Sequence, residues 1–390
     1  MLPAIFSIVL LLISPDLAAG QESRGTESDK RRFKDRVSIS GSFRPVFSWI
    51  ETRGRDGERT RDHTMNARLQ LRAEYEVSPE LTFRARLAGR ASTSQDNFEF
   101  VLKDHTPPDG SYPPGTVTFD EFALSWKLRP GLSVVAGRFQ ARFGLTGLIP
   151  KGFDRYYSSN LGIAHTDGLW IRWDVHPRWR LHLVGNHNGS RGSTHAARTP
   201  LAFDETGTRV GGLAVMEHRD QEGLWVQREV SVSVLPQSFE RGGATRTYAA
   251  ATGRLIMRLP WQCRLFEYWI GGEAGYVPLA PTPASAGMEV GENRTLIGPS
   301  AVAWQVAAYA NGLSGRHRIG VLYGQAEPQW LVSNSFRPNN TLSEVRYRFT
   351  VSRRLNVEAR YRFRTDLFRP EGADYTRQDR DLYARFTWRF

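Results

Sequence analysis

The sequence predicts an all-β protein, a transmembrane antiparallel up-and-down β-barrel of about 16 strands, with about 14 to 18 compatible with the pattern. Three observations predict this fold. Apolar and polar residues alternate with a period of two in many short segments, short turns alternate with long polar loops, and the chain ends on an alternating aromatic segment. Because successive side chains of a strand point to opposite faces, each segment has one face suited to lipid and one suited to water.

The first twenty residues have the composition of a secretory signal peptide. An apolar run extends from Ile5 to Ile13, and the small residues Ala18, Ala19 and Gly20 follow it. The apolar run is too short to cross a bilayer as a helix. We therefore predict a signal peptide over residues 1–20, a periplasmic N-terminal tail over 21–36 and a single transmembrane β-barrel over 37–390.

The chain is basic, with a formal net charge of +12. Removing the predicted leader, whose single charged side chain is Asp16, raises this charge to +13. Arginine is scattered singly along the strands, whereas nucleic-acid-binding proteins concentrate Lys and Arg in patches, so no nucleic-acid partner is predicted. The lone Cys263 cannot form an intrachain disulfide, and neither a metal nor another cofactor is predicted, because the sequence carries no motif for one.

The segment 357–364 shows how the pattern assigns the two faces of a strand. Val357, Ala359, Tyr361 and Phe363 alternate there with one glutamate and three arginines. An arginine at the lipid midplane of a barrel costs about 2–4 kcal/mol, so the arginines of such strands are predicted to point into the lumen. The residues predicted to line the pore are Arg68, Arg72, Arg84, Arg86, Arg138, Arg142, Arg346, Arg348, Arg360, Arg362, Arg364, Arg385 and Arg389.

The connections between the predicted strands are of two kinds. Short turns, such as 129–131 and 311–315, alternate with long polar loops, such as 51–64, 144–168 and 327–342. Short turns at one end and long loops at the other are typical of transmembrane β-barrels. Aromatic rings near strand ends are predicted to lie at headgroup level. These rings belong to Trp49, Trp126, Trp173, Trp179, Tyr276, Tyr323 and Trp388.

The terminal residues Arg385-Phe386-Thr387-Trp388-Arg389-Phe390 resemble the last strand of Gram-negative outer-membrane porins. The resemblance implies location in the bacterial outer membrane, with lipid around the barrel. It also implies an assembly signal at Phe390, Trp388 and Phe386 that the barrel-assembly machinery reads. Whether the protein forms a homotrimer, as some porins do, is left open by the sequence.

Residues 132–173 resemble the phosphate-selective porin O and P group more specifically. The resemblance rests on Gly137-Arg138-Phe139 before a long loop and on Asp167-Gly168 after it. It implies a water-filled channel for passive diffusion of small hydrophilic solutes, with a preference for anions such as phosphate or other oxyanions. Arginine suits such solutes because its planar guanidinium donates two hydrogen bonds to one oxyanion.

The third long loop, residues 144–166, is predicted to fold inward and narrow the channel, as this loop does in general porins. Lys151, Arg155, Tyr156 and Tyr157 would then lie near the constriction. A surface loop that stays outside the bore is the alternative at this point.

Three alternatives to an anion-preferring channel remain open from the sequence. Glu74, Glu76 and Glu358 share the arginine-bearing faces, so structural Arg–Glu pairs could neutralise the wall. An outer-membrane hydrolase is the second, although no recognisable spacing of nucleophile, base and orienting group occurs, and we predict that the protein is not an enzyme. A receptor or export barrel is the third.

Overall fold

The computed structural model describes residues 35–93, 101–103, 116–140, 166–187, 210–220, 223–241, 244–262, 265–279, 300–312, 314–333, 336–370 and 372–390. The predicted signal peptide lies outside these residues, as does the predicted tail apart from its last two residues. The predicted constriction residues Lys151, Arg155, Tyr156 and Tyr157 and the predicted pore residue Arg142 also lie outside them. The chain divides into two compact units, Met1–Ser38 and Ile39–Phe390, and the second unit contains the barrel.

Seventeen β-strands occur in the described residues. They are β1 (Val37–Arg53), β2 (Arg59–Glu76), β3 (Leu81–Ser92), β4 (Val101–Lys103), β5 (Thr116–Arg129), β6 (Leu132–Phe139), β7 (Thr166–His176), β8 (Trp179–His187), β9 (Val210–Arg219), β10 (Trp225–Arg241), β11 (Ala244–Gln262), β12 (Phe266–Val277), β13 (Ala301–Gly312), β14 (His317–Ala326), β15 (Asn340–Thr350), β16 (Leu355–Asp366) and β17 (Gln378–Arg389).

Sixteen of these strands form a closed antiparallel barrel. Each pairs with its neighbour in the chain, β3 pairs with β5, and β17 pairs with β1 to complete the ring. The exception is β4, a three-residue strand that runs parallel to β5. The predicted fold class and strand number are confirmed. Among the residues that the structure describes, no helix has the length and apolar character needed to cross a bilayer.

Strand β17 shows the two faces of the wall most clearly. Leu382 is 52% exposed on the outside of the barrel, whereas the next residue, Tyr383, is 3% exposed on the inside. Phe386 and Trp388 continue the outer face and are exposed as well. The period of two therefore separates a face for hydrocarbon from a face for the polar interior, as the sequence predicts.

The seam between the first and last strands ends at Phe390. The Gly41 N–H donates to the Phe390 carbonyl oxygen at 2.7 Å, and the Phe390 N–H donates to the Gly41 carbonyl oxygen at 3.1 Å. The Phe390 ring lies directly over Gly41, because a Cβ atom there would come within 2.3 Å of the ring. The glycine thus admits the terminal ring at the point where the barrel closes.

The turns at one end of the barrel, the short-turn end, are as tight as predicted. Gly131 joins β5 to β6 with φ of +75°, and Gly315 lies between β13 and β14 with φ of +69°, a backbone region that favours glycine. At the other end, the long-loop end, the predicted loop over 51–64 is wrong. The strands β1 and β2 continue through most of it, and Gly54 donates to the Glu58 carbonyl oxygen to form a tight turn.

Aromatic side chains occupy the outer surface near the strand ends. Six of the seven rings predicted at headgroup level are exposed, at positions 126, 173, 179, 276, 323 and 388. Trp49 is partly buried. Such rings have an apolar body and a polar edge, which suits the boundary between lipid and water.

The outer face of β15 gives a direct test of the membrane-facing assignment. Val345 lies in the middle of that strand and is half-exposed, so Val345→Arg places a charge in the hydrocarbon. We expect it to lower the free energy of unfolding by about 2–4 kcal/mol in a denaturant titration of vesicle-inserted protein. The control is Val351→Arg, just beyond the end of β15, where the cost should fall to about 0–1 kcal/mol. Equal effects at both positions would contradict the assignment.

Candidate functional site

The inner faces of β15, β16 and β17 carry a network of buried ion pairs. Its first centre is Glu358, which is 2% exposed. Glu358 accepts hydrogen bonds from Arg385 at 2.8 Å and Arg348 at 3.1 Å, and Arg346 approaches it at 3.5 Å. Arginines of β15 and β17 therefore bind one carboxylate of β16. Without these arginines the buried carboxylate could not remain charged.

Two further carboxylates extend this network toward the long-loop end. Glu344 pairs with Arg346 at 2.8 Å, and Asp381 pairs with both Arg360 and Arg362. The whole cluster holds five arginines and three carboxylates, so it keeps two positive charges in excess. The Arg–Glu pairing that the sequence left open is present here, and it neutralises only part of the arginine charge.

A second cluster lies on β2, β3 and β5. Arg86 donates to Asp120 at 2.6 Å, and Arg72 donates to Glu121 at 2.5 Å. Asp120 and Glu121 are adjacent in the chain and yet both are buried inside the barrel, because a register shift between Arg86 and Leu87 inserts one extra residue in β5. A strict period of two would have placed one of these acids in the lipid.

A third cluster, on β9 to β12, is acidic. Arg254 donates to Glu229 at 2.5 Å and to Glu273 at 2.9 Å. Glu217 joins the cluster through Gln227, which donates to Glu217 and Glu229 at 3.0 Å each. The cluster thus contains three glutamates and one arginine, with His182 of β8 lying 3.4 Å from Glu217, so the charge of the wall differs between this arc and the arc of β15 to β17.

A segment between β14 and β15, described over residues 327–333 and 336–339, packs into the barrel interior. Trp330, Leu331 and Val332 are fully buried, and Phe336 is 1% exposed. They join one apolar cluster with inward side chains of β10 to β15, among them Tyr248. We call this segment the inward loop.

Hydrogen bonds and a close fit hold the inward loop against the wall. The Tyr248 hydroxyl donates to the Gln329 carbonyl oxygen at 2.8 Å and accepts from the Leu331 N–H at 2.9 Å. The Trp330 ring rests on Gly275, where a Cβ atom would lie 2.3 Å from the ring. A glycine on β12 is therefore required for the ring to lie against the wall.

The far end of the inward loop is anchored by Asn339. Its backbone has φ of +56°, a left-handed conformation that asparagine tolerates better than most residues. The Asn339 side chain donates to the Phe368 carbonyl oxygen and accepts from the Phe368 N–H, both at 2.8 Å. These bonds tie the loop to the connection between β16 and β17.

The predicted pore residues fall into three groups. The prediction that Arg138 lines the pore is corrected, because Arg138 lies on the outer face. It is paired across the sheet with Asp167 and with Phe122, which is 53% exposed on that face. Arg138 lies one residue before the end of β6, and Asp167 neutralises it through two bonds of 2.8 and 3.0 Å. Arg389 lies on the inner face at the short-turn end and is exposed. The ten on the inner face of the wall are Arg68, Arg72, Arg84, Arg86, Arg346, Arg348, Arg360, Arg362, Arg364 and Arg385.

The predicted assembly residues Phe386, Trp388 and Phe390 all face outward and are exposed. Sequence reasoning missed the inward loop and chose residues 144–166 instead, which lie outside the described residues except for Thr166. A signal was present in the run Trp330-Leu331-Val332, which is apolar within a loop expected to be polar. It also missed the acidic cluster, whose irregular strand β10 has a register shift between Trp225 and Gln227.

The closed sixteen-stranded barrel with a polar interior is the architecture of solved outer-membrane porins. Neither a protein-family profile nor a curated protein matches this sequence. Several solved structures share the fold at 10–12% sequence identity. Pseudomonas putida OprB superimposes with a TM-score of 0.58 at 10% identity, covering 93% of this chain and 96% of OprB.

Two further structures show the same fold. The outer-membrane channel DcaP of Acinetobacter baumannii has a TM-score of 0.55 at 12% identity, with 91% of this chain and 97% of DcaP covered. Salmonella typhi OmpF has a TM-score of 0.54 at 11% identity, with 91% and 97% covered. These structures are outer-membrane porins, and the predicted location in the bacterial outer membrane agrees with this fold.

The contacts of the inward loop predict the effect of removing one hydroxyl. Tyr248→Phe leaves the Leu331 N–H and the Gln329 carbonyl oxygen without their partner. We expect the loop to open more often, with the protection of the Leu331 amide reduced by about 1–3 kcal/mol in hydrogen exchange. The matched control is Tyr276→Phe on the outer face, which should leave Leu331 unchanged. Unaltered exchange in Tyr248→Phe would show that other contacts hold the loop.

Proposed function

We propose that this protein is a porin, a water-filled channel for passive diffusion of small hydrophilic solutes across the outer membrane. The observation that carries the proposal is the charged interior of a closed barrel, where arginines and carboxylates line strand after strand. Charged side chains at this density are stable only when they contact water or partners of opposite charge. A water-filled bore provides the water. The similarity to solved porins supports the fold on which the proposal depends.

We further propose that the channel prefers anions. The cluster on β15 to β17 contains two more arginines than carboxylates, and the chain as a whole is basic. A positive wall of low dielectric concentrates anions in the bore. The acidic cluster on β9 to β12 opposes this effect on its own arc. A preference for phosphate over other anions rests only on the sequence resemblance of residues 132–173.

The other sequence predictions complete the proposal. Residues 1–20 would be removed on export and residues 21–36 would remain in the periplasm, while 37–390 form the barrel domain. The outward rings of Phe386, Trp388 and Phe390 would serve the assembly machinery, and lipid would cover the outer face. A homotrimer is compatible with this arrangement. No observation on the described residues favours a hydrolase, a receptor or an export barrel, and the absence of enzymatic activity stays a prediction.

Measurements of current and reversal potential in planar bilayers test both the proposed channel and its proposed preference for anions. In a potassium chloride gradient we expect stable ion currents with chloride more permeant than potassium. Arg348→Gln should lower the permeability ratio of chloride to potassium by about twofold, because it removes one positive charge from the bore while Glu358 keeps two other arginines.

Arg138→Gln is the matched control, since the same change on the outer face should leave the ratio as it is. Absence of current from correctly folded protein would refute the channel. Currents that favour potassium would refute only the anion preference.

The predicted constriction at residues 144–166 has its own test. Deleting residues 150–160 should raise the single-channel conductance, because it would widen the narrowest part of the bore. A deletion of the same length within the long loop at 188–208 is the control and should leave conductance unchanged. If the two deletions behave alike, the inward loop at 327–339 becomes the sole candidate among these segments for narrowing the channel.

A further inference from the structure

A small cleft opens on the inner wall at the long-loop end, where β1 and β15 to β17 meet the inward loop. Its volume is about 90 Å³, room for about six to nine waters if one water needs about 10–15 Å³. Four arginines and two aspartates dominate its surface. Its lining residues are Arg55, Arg337, Pro338, Asn340, Arg364, Asp366, Arg377 and Asp379.

The two aspartates of the cleft are already held by several donors. Asp366 accepts from the Arg55 Nε atom at 2.8 Å and from the Arg377 backbone N–H at 3.1 Å. Asp379 accepts from Arg337 at 2.5 Å, from Arg377 at 3.1 Å and from the Thr52 hydroxyl at 2.9 Å. The aspartates therefore position the arginines.

The arginines carry more positive charge than the aspartates neutralise, and more N–H donors than the aspartates bind. Four guanidinium groups face two carboxylates, which leaves two positive charges in excess. Arg55, Arg337 and Arg377 are about half-exposed, so part of each fork faces the water of the cleft. Arg364 lies at the back, 8% exposed and directly across the sheet from Asp379.

From this geometry we propose that the cleft binds a small oxyanion, such as inorganic phosphate or a carboxylate, at the mouth of the channel. Each guanidinium presents five N–H donors in a plane, and two of them match the oxygens of a phosphate or carboxylate. Because four forks converge from β16, the β1–β2 turn, the inward loop and the residue before β17, one oxyanion can engage several at once. The excess charge of two suits a doubly charged anion.

A free solute is the occupant that the structure favours over a lipid phosphate. Arg364, Asn340 and Asp379 belong to the inner face of the wall, on the side away from the exposed apolar surface. The inference deepens the proposed function and rests on it in one respect, since the inner face must be open to water.

Calorimetric titration of the purified protein with inorganic phosphate at low salt tests the site directly. We expect one phosphate per chain, with binding weakened about tenfold by Arg337→Gln and by Arg377→Gln, each of which removes a charge-assisted donor. Both side chains are half-exposed and Asp379 keeps partners in either variant, so the barrel should fold. Arg380→Gln is the matched control, because Arg380 is an equally exposed arginine on the outer face of β17.

Phosphate binding of wild-type strength in both cleft variants, or no binding by the wild type, would overturn the site. A second arm repeats the titration in nanodiscs of phosphatidylcholine with and without phosphatidic acid. Equal phosphate affinity in both is expected for a site that faces the bore. Loss of binding in phosphatidic acid would assign the cleft to a lipid headgroup and overturn the solute assignment.

The binding assay needs no current, so its result is separate from that of the proposed channel. Ion currents without phosphate binding would leave the porin in place and remove the cleft site. If both hold, phosphate added from the long-loop side should reduce the chloride current of the wild type and should reduce it less in Arg337→Gln.

Discussion

Backbone hydrogen bonding in hydrocarbon is the constraint on which the rest of this structure depends. Each unpaired N–H or carbonyl group in lipid costs several kcal/mol, so a sheet can cross the membrane only if it has no free edge. Pairing of β17 with β1 meets this condition. Once the ring is closed, every strand has one face toward lipid and one toward the interior, and the charged side chains have a single direction available to them.

The same enclosure explains why the charges inside are paired so extensively. A buried charge without a partner is costly, and truncating one member of a pair leaves the other stranded. Glu358 shows the result, since it bonds with arginines from β15 and β17 and lies on β16 between them. Because the partners come from different strands, the network also fixes the register of the wall. The net charge of each arc is then the small difference between the number of its arginines and the number of its carboxylates.

The fold was accessible from the sequence because alternation is repeated in most of the strands. A period of two in β15, β16 and β17 assigns each side chain to a face, and Arg346, Arg360 and Arg385 lie where that assignment puts them. The pattern is less informative in the bulged strand β5 and near the end of β6. The extra residue in β5 turns both Asp120 and Glu121 inward, and Arg138 near the end of β6 reaches the outer face, where Asp167 satisfies it.

The candidate site was less accessible because it depends on contacts between distant segments. The inward loop is defined by Tyr248 and Gly275, which precede it by many residues and belong to other strands. No local pattern in the sequence of residues 327–339 predicts contacts with these two residues. The cleft likewise joins Arg55 to Asp366, a pair separated by 311 positions. Sequence periodicity carries information about faces, whereas these features depend on which strands become neighbours.

The bonds between Gly41 and Phe390 join the first strand of the sheet to the residue that follows its last strand. The seam therefore cannot form until β1 and β17 have both reached the membrane. Until then the backbone N–H and carbonyl groups of two strand edges are unpaired, and such edges can pair with strands of other chains. Contacts of this sequence separation also form slowly. A barrel without β17 would be left with an open sheet, so the architecture selects against a barrel that lacks an edge strand.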